Sequence, residues 1–549
     1  MATDALKSEL CIHCFRDMNN DSKYLFRSVT DHQRQSVHAM KIFVAVALVF
    51  AGLLVICGCA KQSNRDIARS ITKTWELAWG GPGDDSVLGL DLDENGNSYV
   101  SGGFHGLVDF DPGQRVRSHK AHSDEGDAFL ASYDAEGSFR WLRTWGGDGD
   151  TSATCVAVDR EGNVVVVGRF EGAVDFDPGP RREVHQSAPD ENTSSSGSFL
   201  VKYGADGRFR WARSWSGGSV GSEIEPCGAY SVDLDSEGCI YVTGSFAGSV
   251  SLGAGSEKGN ASSKGGQDIY LAKWDSVGDF QWLKTWGGEA EYEIGYAVRV
   301  HDNDAIYVAG FFGESAEGVD FSPVPSSAAV RFSNGGLDAF VSRFQSDGDF
   351  EWVRTWGNTA HESMDIAYGL VSDTSGSVYV TGCFDGRVAF NGDSTGAFRT
   401  SLGDADVFVV SFDEQGLFRW VKTWGGSGTD IGMAIEMDGN SMLGIAGVFT
   451  GEVDFDPRQT ISSGKSQGKL DVFLSAFTSE GQFITVSTWG SNDYDEGKAV
   501  RIDQNGYRYF GGYFSDTIDF NAGASSNIRS AYGGTDCFLL RLQPLVGSR

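Results

Sequence analysis

Proline is scarce in this chain, cysteine follows no repeating pattern, and basic residues are far fewer than acidic ones. The 549 residues include 10 prolines and 9 cysteines, and 75 acidic against 44 basic side chains give a formal charge of −31. Such an excess of acid disfavours nucleic acids and anionic lipid surfaces as direct partners. The five cysteines after residue 59 do not recur at one position of the repeat described below, which favours buried thiols over a disulfide framework.

Helical periodicity and the common catalytic motifs are also missing. Beyond residue 59, no long segment repeats its apolar residues every 3.6 positions, and no HExxH, GxSxG, P-loop or paired CxxC occurs. The chain instead has 74 glycines and 12% aromatic residues. This composition offers ample core material and favours turn-rich β-structure over disorder.

A Trp-Gly phrase divides the chain into repeats. It begins at Trp79, Trp145, Trp215 (as Trp-Ser-Gly-Gly), Trp286, Trp356, Trp424 and Trp489, at spacings of 66, 70, 71, 70, 68 and 65 residues. Each unit carries four short β-branched and aromatic runs, here called a to d, separated by Gly, Asp and Asn turns. Four antiparallel strands per repeat predict a propeller blade, because such a sheet buries both faces only by stacking against its neighbours.

The two ends of the repeat region predict how the ring closes. Residues 71–81 form a d run with no a, b or c run before it. The last unit has a, b and c runs at 498–503, 507–514 and 537–542, but no d run. We therefore predict an all-β fold, a single seven-bladed β-propeller over residues 71–549, whose N-terminal strand completes the last blade.

The stretch from Met40 to Cys59 differs from the rest of the chain. Lys41 precedes an apolar run from Ile42 to Ile56, and Cys57-Gly58-Cys59 follows. This stretch resembles a bacterial lipoprotein signal peptide with a lipobox. The resemblance implies cleavage before Cys59, a diacylglycerol on its thiol, and an extracytoplasmic protein anchored to the membrane. In a Gram-negative cell, Ala60 in place of Asp implies the outer membrane. The alternative is a transmembrane anchor, although the run is below the ~20 residues that a spanning helix needs.

Residues 1–39 are unusual ahead of a signal peptide. Met40 followed by Lys41 is the expected start, so we interpret 1–39 as a spurious upstream extension, with a short cytoplasmic tail as the alternative. The lone CxxC from Cys11 to Cys14 is weak support for a metal site. Residues 60–70 are interpreted as a short linker to the propeller.

The repeat itself resembles a known family. "DAFLASYDAEGSFRWLRTWGG" from Asp127 and "VSDTSGSVYVTGCF" from Val371 resemble the SBBP family, the seven-bladed β-propeller repeat of bacterial extracytoplasmic proteins. The resemblance covers about residues 71–543 and implies the fold rather than an activity. We expect a monomeric binding or scaffold module for an unknown protein or glycan. The alternative is a hydrolase or lyase acting on glycans or other surface polymers.

Aspartates recur in the d–a and b–c loops, which should emerge on one face of the propeller. A ring of carboxylates there is a candidate site for Ca²⁺ or a cationic ligand, and its alternative is ordinary turn chemistry, since Asp favours turns. The six residues of this candidate site are Asp84, Asp150, Asp177, Asp430, Asp456 and Asp495. The turn "DLDENG" (91–96) matches a calcium loop only in part, because Gly102 occupies the position of its bidentate acid.

Two other patterns were candidates for chemistry. In the d run, Phe139, Trp141, Arg143 and Trp145 share one face, which suits either a repeated ligand site or, as we favour, packing between blades or a ladder along the outer rim. An enzyme would place polar residues on the inner a strands, where Arg299, Glu436 and Arg501 are the charged exceptions. Three scattered residues do not define a site, and apart from calcium no cofactor is predicted.

Overall fold

The structure is a computed structural model that describes residues 73–545, except 114, 178, 188–195, 219–226, 254–256, 323–328, 393–395, 457–462 and 522–525. Cys59, the leader and the linker lie outside the described residues. Within them, the only helical element is a 3-10 turn at Glu257–Gly259. In chain order the strands are β1 (Lys73–Trp79), β2 (Ser86–Leu92), β3 (Ser98–Phe104), β4 (Leu107–Asp109), β5 (Ser118–Lys120), β6 (Asp127–Tyr133), β7 (Phe139–Trp145), β8 (Thr151–Val158), β9 (Val164–Glu171), β10 (Ala173–Asp175), β11 (Val184–Gln186), β12 (Ser196–Tyr203), β13 (Phe209–Ser216), β14 (Cys227–Leu234), β15 (Ile240–Ser251), β16 (Asn260–Trp274), β17 (Phe280–Trp286), β18 (Ile294–Val300), β19 (Ile306–Phe312), β20 (Val319–Asp320), β21 (Val330–Arg331), β22 (Asp338–Phe344), β23 (Phe350–Trp356), β24 (Ile366–Ser372), β25 (Val378–Phe384), β26 (Arg387–Ala389), β27 (Phe398–Thr400), β28 (Asp406–Phe412), β29 (Phe418–Trp424), β30 (Ile431–Met437), β31 (Met442–Phe449), β32 (Glu452–Asp454), β33 (Ser463–Lys465), β34 (Asp471–Thr478), β35 (Phe483–Trp489), β36 (Asp495–Ile502), β37 (Arg508–Asp519) and β38 (Ile528–Leu542).

These strands form seven antiparallel four-stranded sheets, which are the blades. In the order a-b-c-d they are β2-β3-β6-β7, β8-β9-β12-β13, β14-β15-β16-β17, β18-β19-β22-β23, β24-β25-β28-β29, β30-β31-β34-β35 and β36-β37-β38-β1, numbered here as blades 1 to 7. Each inner strand contacts the inner strands on both sides, and β36 contacts β2, so the a strands form a closed ring. The all-β, seven-bladed prediction is confirmed.

Ring closure takes place inside blade 7. Strand β1 pairs antiparallel with β38, with Trp79 opposite Cys537. The first strand of the propeller is therefore the outer strand of its last blade, as the missing runs predicted. Closure leaves no blade with an unpaired d position, which removes an exposed sheet edge.

Every inner strand contains a β-bulge at the same place. In blade 2, for example, the pairing shifts between Ala153 and Cys155, so that Thr154 is an extra residue. The sequence predicts a run that starts at Cys155, whereas the strand starts at Thr151. The extra residue interrupts the alternation of side chains, and the alternation becomes visible in sequence only after the bulge.

The b–c connections are more ordered than the variable polar loops expected from sequence. In blades 1, 2, 4, 5 and 6 each contains a separate two-stranded hairpin. In blades 3 and 7 the b and c strands themselves continue into the connection, and β16 and β38 reach 15 residues. These hairpins extend the face of the propeller from which the d–a loops also emerge.

The core lies between the blades. Trp145, at the end of the outer strand of blade 1, is 1% exposed and packs against Phe199 and Tyr203 of blade 2 at 5.8 and 5.7 Å between ring centroids. Full burial of one such side chain contributes on the order of 3 kcal/mol. The cysteines of the propeller are all free thiols, as expected.

Candidate functional site

The bulged residues of the inner strands are the least uniform positions of the repeat. A bulge re-aims its side chain out of the regular pattern of a strand, and bulges are frequent next to binding sites. The strand pairing leaves one extra residue in each blade. From blade 1 to blade 7 these residues are Leu88, Thr154, Tyr230, Tyr296, Tyr368, Met433 and Lys498.

Three tyrosines at these positions form an arc across blades 3, 4 and 5. The ring centroids of Tyr230 and Tyr296 are 5.4 Å apart, and those of Tyr296 and Tyr368 are 5.0 Å apart. Tyr230 is half-buried, whereas Tyr296 and Tyr368 are buried. Because these tyrosine side chains contact one another from blade to blade, they follow the circle of inner strands. They lie at the end of those strands that the d–a loops lead into. We call these residues the tyrosine arc.

A belt of charged side chains lies three residues further along the inner strands. Arg501 Nε is 3.0 Å from Asp91 Oδ1, and Arg501 Nη1 is 3.3 Å from Glu436 Oε2. Arg299 Nη2 reaches the same Glu436 oxygen at 3.1 Å, although blade 5 lies between blades 4 and 6. Burial alone would lower the pKa of Arg501, and Glu436 and Asp91 together raise it above its usual value. We call Asp91, Arg299, Glu436 and Arg501 the channel belt.

The structure thus brings together the three charged exceptions that the sequence singled out. Arg299, Glu436 and Arg501 occupy equivalent positions of different inner strands, and Asp91 occupies that position in blade 1. Asp233 holds the same position in blade 3, where it accepts a hydrogen bond from Val300 N at 2.8 Å. Sequence reasoning considered Asp91 only as part of a turn motif and missed Asp233, whereas an alignment of the seven a strands by bulge would have found both at this position.

Within the "DLDENG" turn, the two aspartates have different roles. Asp93 Oδ1 accepts hydrogen bonds from Asn95 N and Asn97 N, both at 2.9 Å, and Gly96 has φ 76°. This is the geometry of a hairpin turn capped by its own aspartate. Asp91 faces the channel belt instead, so the two acids of the partial calcium motif do not act on one site.

The six aspartates of the predicted acidic site are bound separately. Asp430 and Asp495 are fully buried and accept backbone N–H groups. Three others have their own partners: Asp84 Oδ1 accepts from Thr535 N, Asp150 pairs with Arg169 at 2.7 Å, and Asp177 Oδ1 accepts from Gly179 N. At Asp456 the main-chain N–H donates to Asp454 Oδ1. Among the described residues, no three His, Cys, Asp or Glu side chains form a group that could hold a metal. Calcium binding stays a prediction.

The repeated d phrase is used for packing between blades. Arg354 stacks on Trp352 at 5.4 Å and donates from Nε to Gly416 O at 2.6 Å, in the c–d turn of the next blade. Trp352 Nε1 donates to Glu414 O of the same turn at 3.0 Å. Arg143 and Arg213 repeat both contacts in their own blades. The stacking uses only the first Trp of each phrase, because the second is buried in the core.

The comparisons with known proteins are distant. No protein-family model matches the chain. It is 20% identical over 374 residues to an uncharacterized WD repeat-containing protein of Acanthamoeba polyphaga mimivirus, a match that covers 60% of this chain and 26% of the relative. It is 29% identical over 169 residues to the regulatory protein FlaEY of Caulobacter vibrioides, covering 30% and 16%. The chain therefore spans about a quarter or less of the curated relatives it matches.

Solved structures are similar at low sequence identity. Sqt1 from Chaetomium thermophilum has a TM-score of 0.36 at 9% identity, with 80% of this chain and 96% of that chain covered. A catalytically inactive virginiamycin B lyase from Staphylococcus aureus has a TM-score of 0.29 at 9% identity, covering 84% and 98%. The described residues contain no helix that is both long and apolar enough to span a bilayer.

Proposed function

We propose that this chain is a binding or scaffold propeller, and that its ligand is recognised at the mouth of the ring of inner strands. The observation that carries the proposal is a contrast within the repeat. Positions that pack blades together keep the same residue type in nearly every copy, such as the Trp that ends each d run. The bulge positions hold Leu, Thr, Tyr, Met and Lys at equivalent places. Positions that make the same packing contact in every blade need the same residue type. The bulge positions are not restricted in this way, so their variation can serve ligand recognition.

The chemistry of the mouth supports a glycan or protein ligand rather than nucleic acid. Tyrosines provide broad apolar rings with a polar edge, which suits the faces of sugars and aromatic or aliphatic side chains. The chain carries a charge of −31, which opposes a polyanion. Calcium at the acidic loops is a further proposal, and an unchanged melting temperature on adding Ca²⁺ would contradict it.

Binding at the mouth is tested with a glycan array and a panel of envelope proteins as probes. We expect Tyr230→Ala to weaken any interaction at least tenfold, because Tyr230 is the most exposed member of the tyrosine arc. Tyr532→Ala is the matched control, since Tyr532 is 77% exposed but lies on the c strand of blade 7, away from the arc. Equal weakening by both substitutions would contradict recognition at the mouth.

The proposal places the propeller outside the cytoplasm, on a lipid anchor at Cys59. It rests on the lipobox resemblance and the SBBP resemblance of the repeats, whose members look like surface or secreted proteins. Two acyl chains on one cysteine suffice for stable attachment, whereas one holds only weakly. Mass spectrometry of the mature N-terminus should find diacylated Cys59, and Cys59→Ser should release the protein from the membrane fraction. An unmodified chain that begins before Met40 would contradict the anchor.

A second candidate function, an enzyme acting on surface glycans, is favoured by the channel belt. Asp91 and Glu436 are carboxylates that share Arg501, and paired carboxylates perform glycoside hydrolysis. Assays on a polysaccharide panel with the wild type and Glu436→Gln test it. Turnover that Glu436→Gln abolishes would support the enzyme, and turnover unaffected by this substitution would exclude the belt as its site.

A further inference from the structure

Buried carboxyl groups meet in pairs where neighbouring blades join. One member begins strand c of a blade or, in blades 3 and 7, lies within the extended strand c, and the other begins or immediately precedes the inner strand of the next blade. The pairs are Asp536 with Asp85, Asp268 with Glu293, Asp338 with Asp365, Asp406 with Asp430, and Asp471 with Asp495. None of these ten side chains is more than 6% exposed. Like charges this deeply buried and this close oppose each other's ionisation.

The closeness of the two groups is visible at the junction of blades 3 and 4. Asp268 Oδ1 and Glu293 Oε2 each lie 2.5 Å from the point where a Cβ on Gly287 would stand. The same glycine position lies against the c-strand aspartate at the other paired junctions. At junctions 4/5, 5/6 and 6/7 the residues that directly precede the two acids pair in a parallel bridge, such as Ala405 with Thr429, so both members of each pair lie side by side beneath the d–a loop.

The inner-strand member of each pair fastens the d–a loop. Asp430 accepts hydrogen bonds from Gly426 N at 2.7 Å and from Thr450 N at 3.1 Å. Asp495 makes the equivalent contacts with Ser491 N at 2.6 Å and Ser515 N at 3.0 Å. One carboxyl group thus ties the d–a loop to strand b of the same blade, since Thr450 directly follows β31 and Ser515 lies within the long strand β37.

Between blades 5 and 6 the c-strand member has an oxygen that a proton would satisfy, whereas both oxygens of Asp338 and of Asp471 already accept hydrogen bonds. Asp406 accepts from Leu402 N through Oδ2, whereas its buried Oδ1 has no hydrogen-bond partner among the described residues. An ionised oxygen without a donor is costly at this depth. A proton held at Oδ1 removes the charge and supplies a donor toward the neighbouring carboxyl group.

Three consecutive junctions, 4/5, 5/6 and 6/7, lack a basic side chain to offset the charge. The described residues form no Lys, Arg or His ion pair with these six carboxyl groups, and the other charged groups that face them are Glu314 and Asp385, also acids. Burial, and after it the neighbouring acids, raise the pKa of Asp430 and Asp495 to about 7 and of Asp406 to about 6. The other two pairs face Lys264 and His105.

We propose that each of these three junctions holds one proton between its two carboxyl groups, and that loss of the protons above neutral pH loosens the d–a loops of blades 5, 6 and 7. The pairs favour the protonated form in the folded chain only. Their stabilising contribution is complete below the pKa of an unfolded aspartate, near 4, and is lost as the pH rises through about 7. The device is independent of any ligand at the mouth.

Threonine substitutions at the inner-strand positions give the decisive variant. Blade 2 already has Thr151 at this position, where its N–H donates to the carbonyl of Gly126 beside Asp127, so Asp365→Thr, Asp430→Thr and Asp495→Thr copy an arrangement that the fold accepts. The control removes three exposed acids by Glu94→Gln, Glu136→Gln and Glu237→Gln. Potentiometric titration of the folded full chains should show about three fewer protons released by the threonine variant between pH 5 and 8. The control should differ from wild type only below pH 5, and equal proton release by wild type and threonine variant would overturn the proposal.

A measurement on the wild type alone tests the proposal even if the threonine variant fails to fold. At pH 6 the native chain should bind more protons than the urea-unfolded chain, and its melting temperature should be higher at pH 5.5 than at pH 8 by at least about 3 °C. Native and unfolded chains that bind equal numbers of protons at pH 6 would overturn the proposal without any variant.

Discussion

At the scale of single residues, the position after the repeated tryptophan requires glycine because the facing c-strand aspartate leaves no room for a side chain. A Cβ on Gly425 would stand 2.4 Å from Asp406 Cγ, which no side chain tolerates. The one departure from Trp-Gly is Ser216, and it pairs with Gly197, which replaces the c-strand aspartate in that blade. The irregular Trp-Ser-Gly-Gly phrase is therefore a compensated change.

This compensation predicts the outcome of a double-mutant cycle. We expect Gly425→Ser to lower the free energy of unfolding by about 2 kcal/mol, because the new side chain overlaps the Asp406 carboxyl group. In an Asp406→Gly background the same substitution should cost at least about 1 kcal/mol less. Urea unfolding of the four chains measures both values.

The matched control for this cycle is Gly439→Ser. A Cβ on Gly439 meets nothing within 4 Å, so the substitution should change the free energy of unfolding by less than about 0.5 kcal/mol. Additive effects of Gly425→Ser and Asp406→Gly would contradict the steric explanation.

At the scale of elements, the outer strand of every blade except blade 6 is anchored on the c–d turn of the next blade. Trp352 lies over Gly416, and a Cβ on that glycine would come within 2.8 Å of the indole ring. Equivalent glycines meet the first Trp of the phrase at other blade contacts, among them Gly137, Gly207 and Gly278. The phrase thus carries the stacking of one blade on another.

Two glycines with the same φ angle but different surroundings allow the cost of a steric clash to be measured separately from the cost of backbone strain. Gly416 and Gly172 both have φ 72°, but a Cβ on Gly172 meets nothing within 4 Å. Both alanine substitutions carry the left-handed penalty of about 1 kcal/mol. Gly416→Ala should cost about 1–2 kcal/mol more, since it also displaces the Trp352 ring. Thermal and urea unfolding measure the difference, and equal losses would show that the turn does not support the indole.

At the scale of the whole molecule, stability depends on β1, which belongs to blade 7 although it lies at the opposite end of the chain from the other strands of that blade. Trp79 of β1 is 3% exposed and packs in the core between blades 7 and 1, where Cys537 also lies. Without β1, strand β38 would present an open edge, and this core would be uncovered. Closure therefore concerns both the last blade and its junction with the first.

A circular permutant tests closure directly. The chain would run from 84 to 542, continue through a turn copied from residues 134–138, and end with residues 73–83. We expect its melting temperature to lie within about 5 °C of the parent, because every blade keeps four strands. A chain that simply starts at residue 84 should melt at a much lower temperature or aggregate. If this truncated chain were as stable as the parent, β1 would not be the closing strand.

How much could be predicted from sequence differed between fold and site. The blade count, the strand order and the closing strand follow from a pattern that repeats every ~68 residues, and periodic burial can be read locally. The hairpins in the b–c connections were missed, because their short strands fall in segments that vary from blade to blade. The starts of the a strands were placed late, since a bulge hides the alternation.

Sequence by itself determined that this protein is a propeller with a closing N-terminal strand, because repeating side-chain chemistry specifies repeating packing. Only the tertiary structure decided which charged groups meet. Arg501 and Asp91 are 410 positions apart, and Arg299 and Glu436 are 137 apart. The paired carboxyl groups likewise come from different blades. No local pattern encodes such contacts, which exist only because the ring brings the inner strands and loops of all blades around one axis.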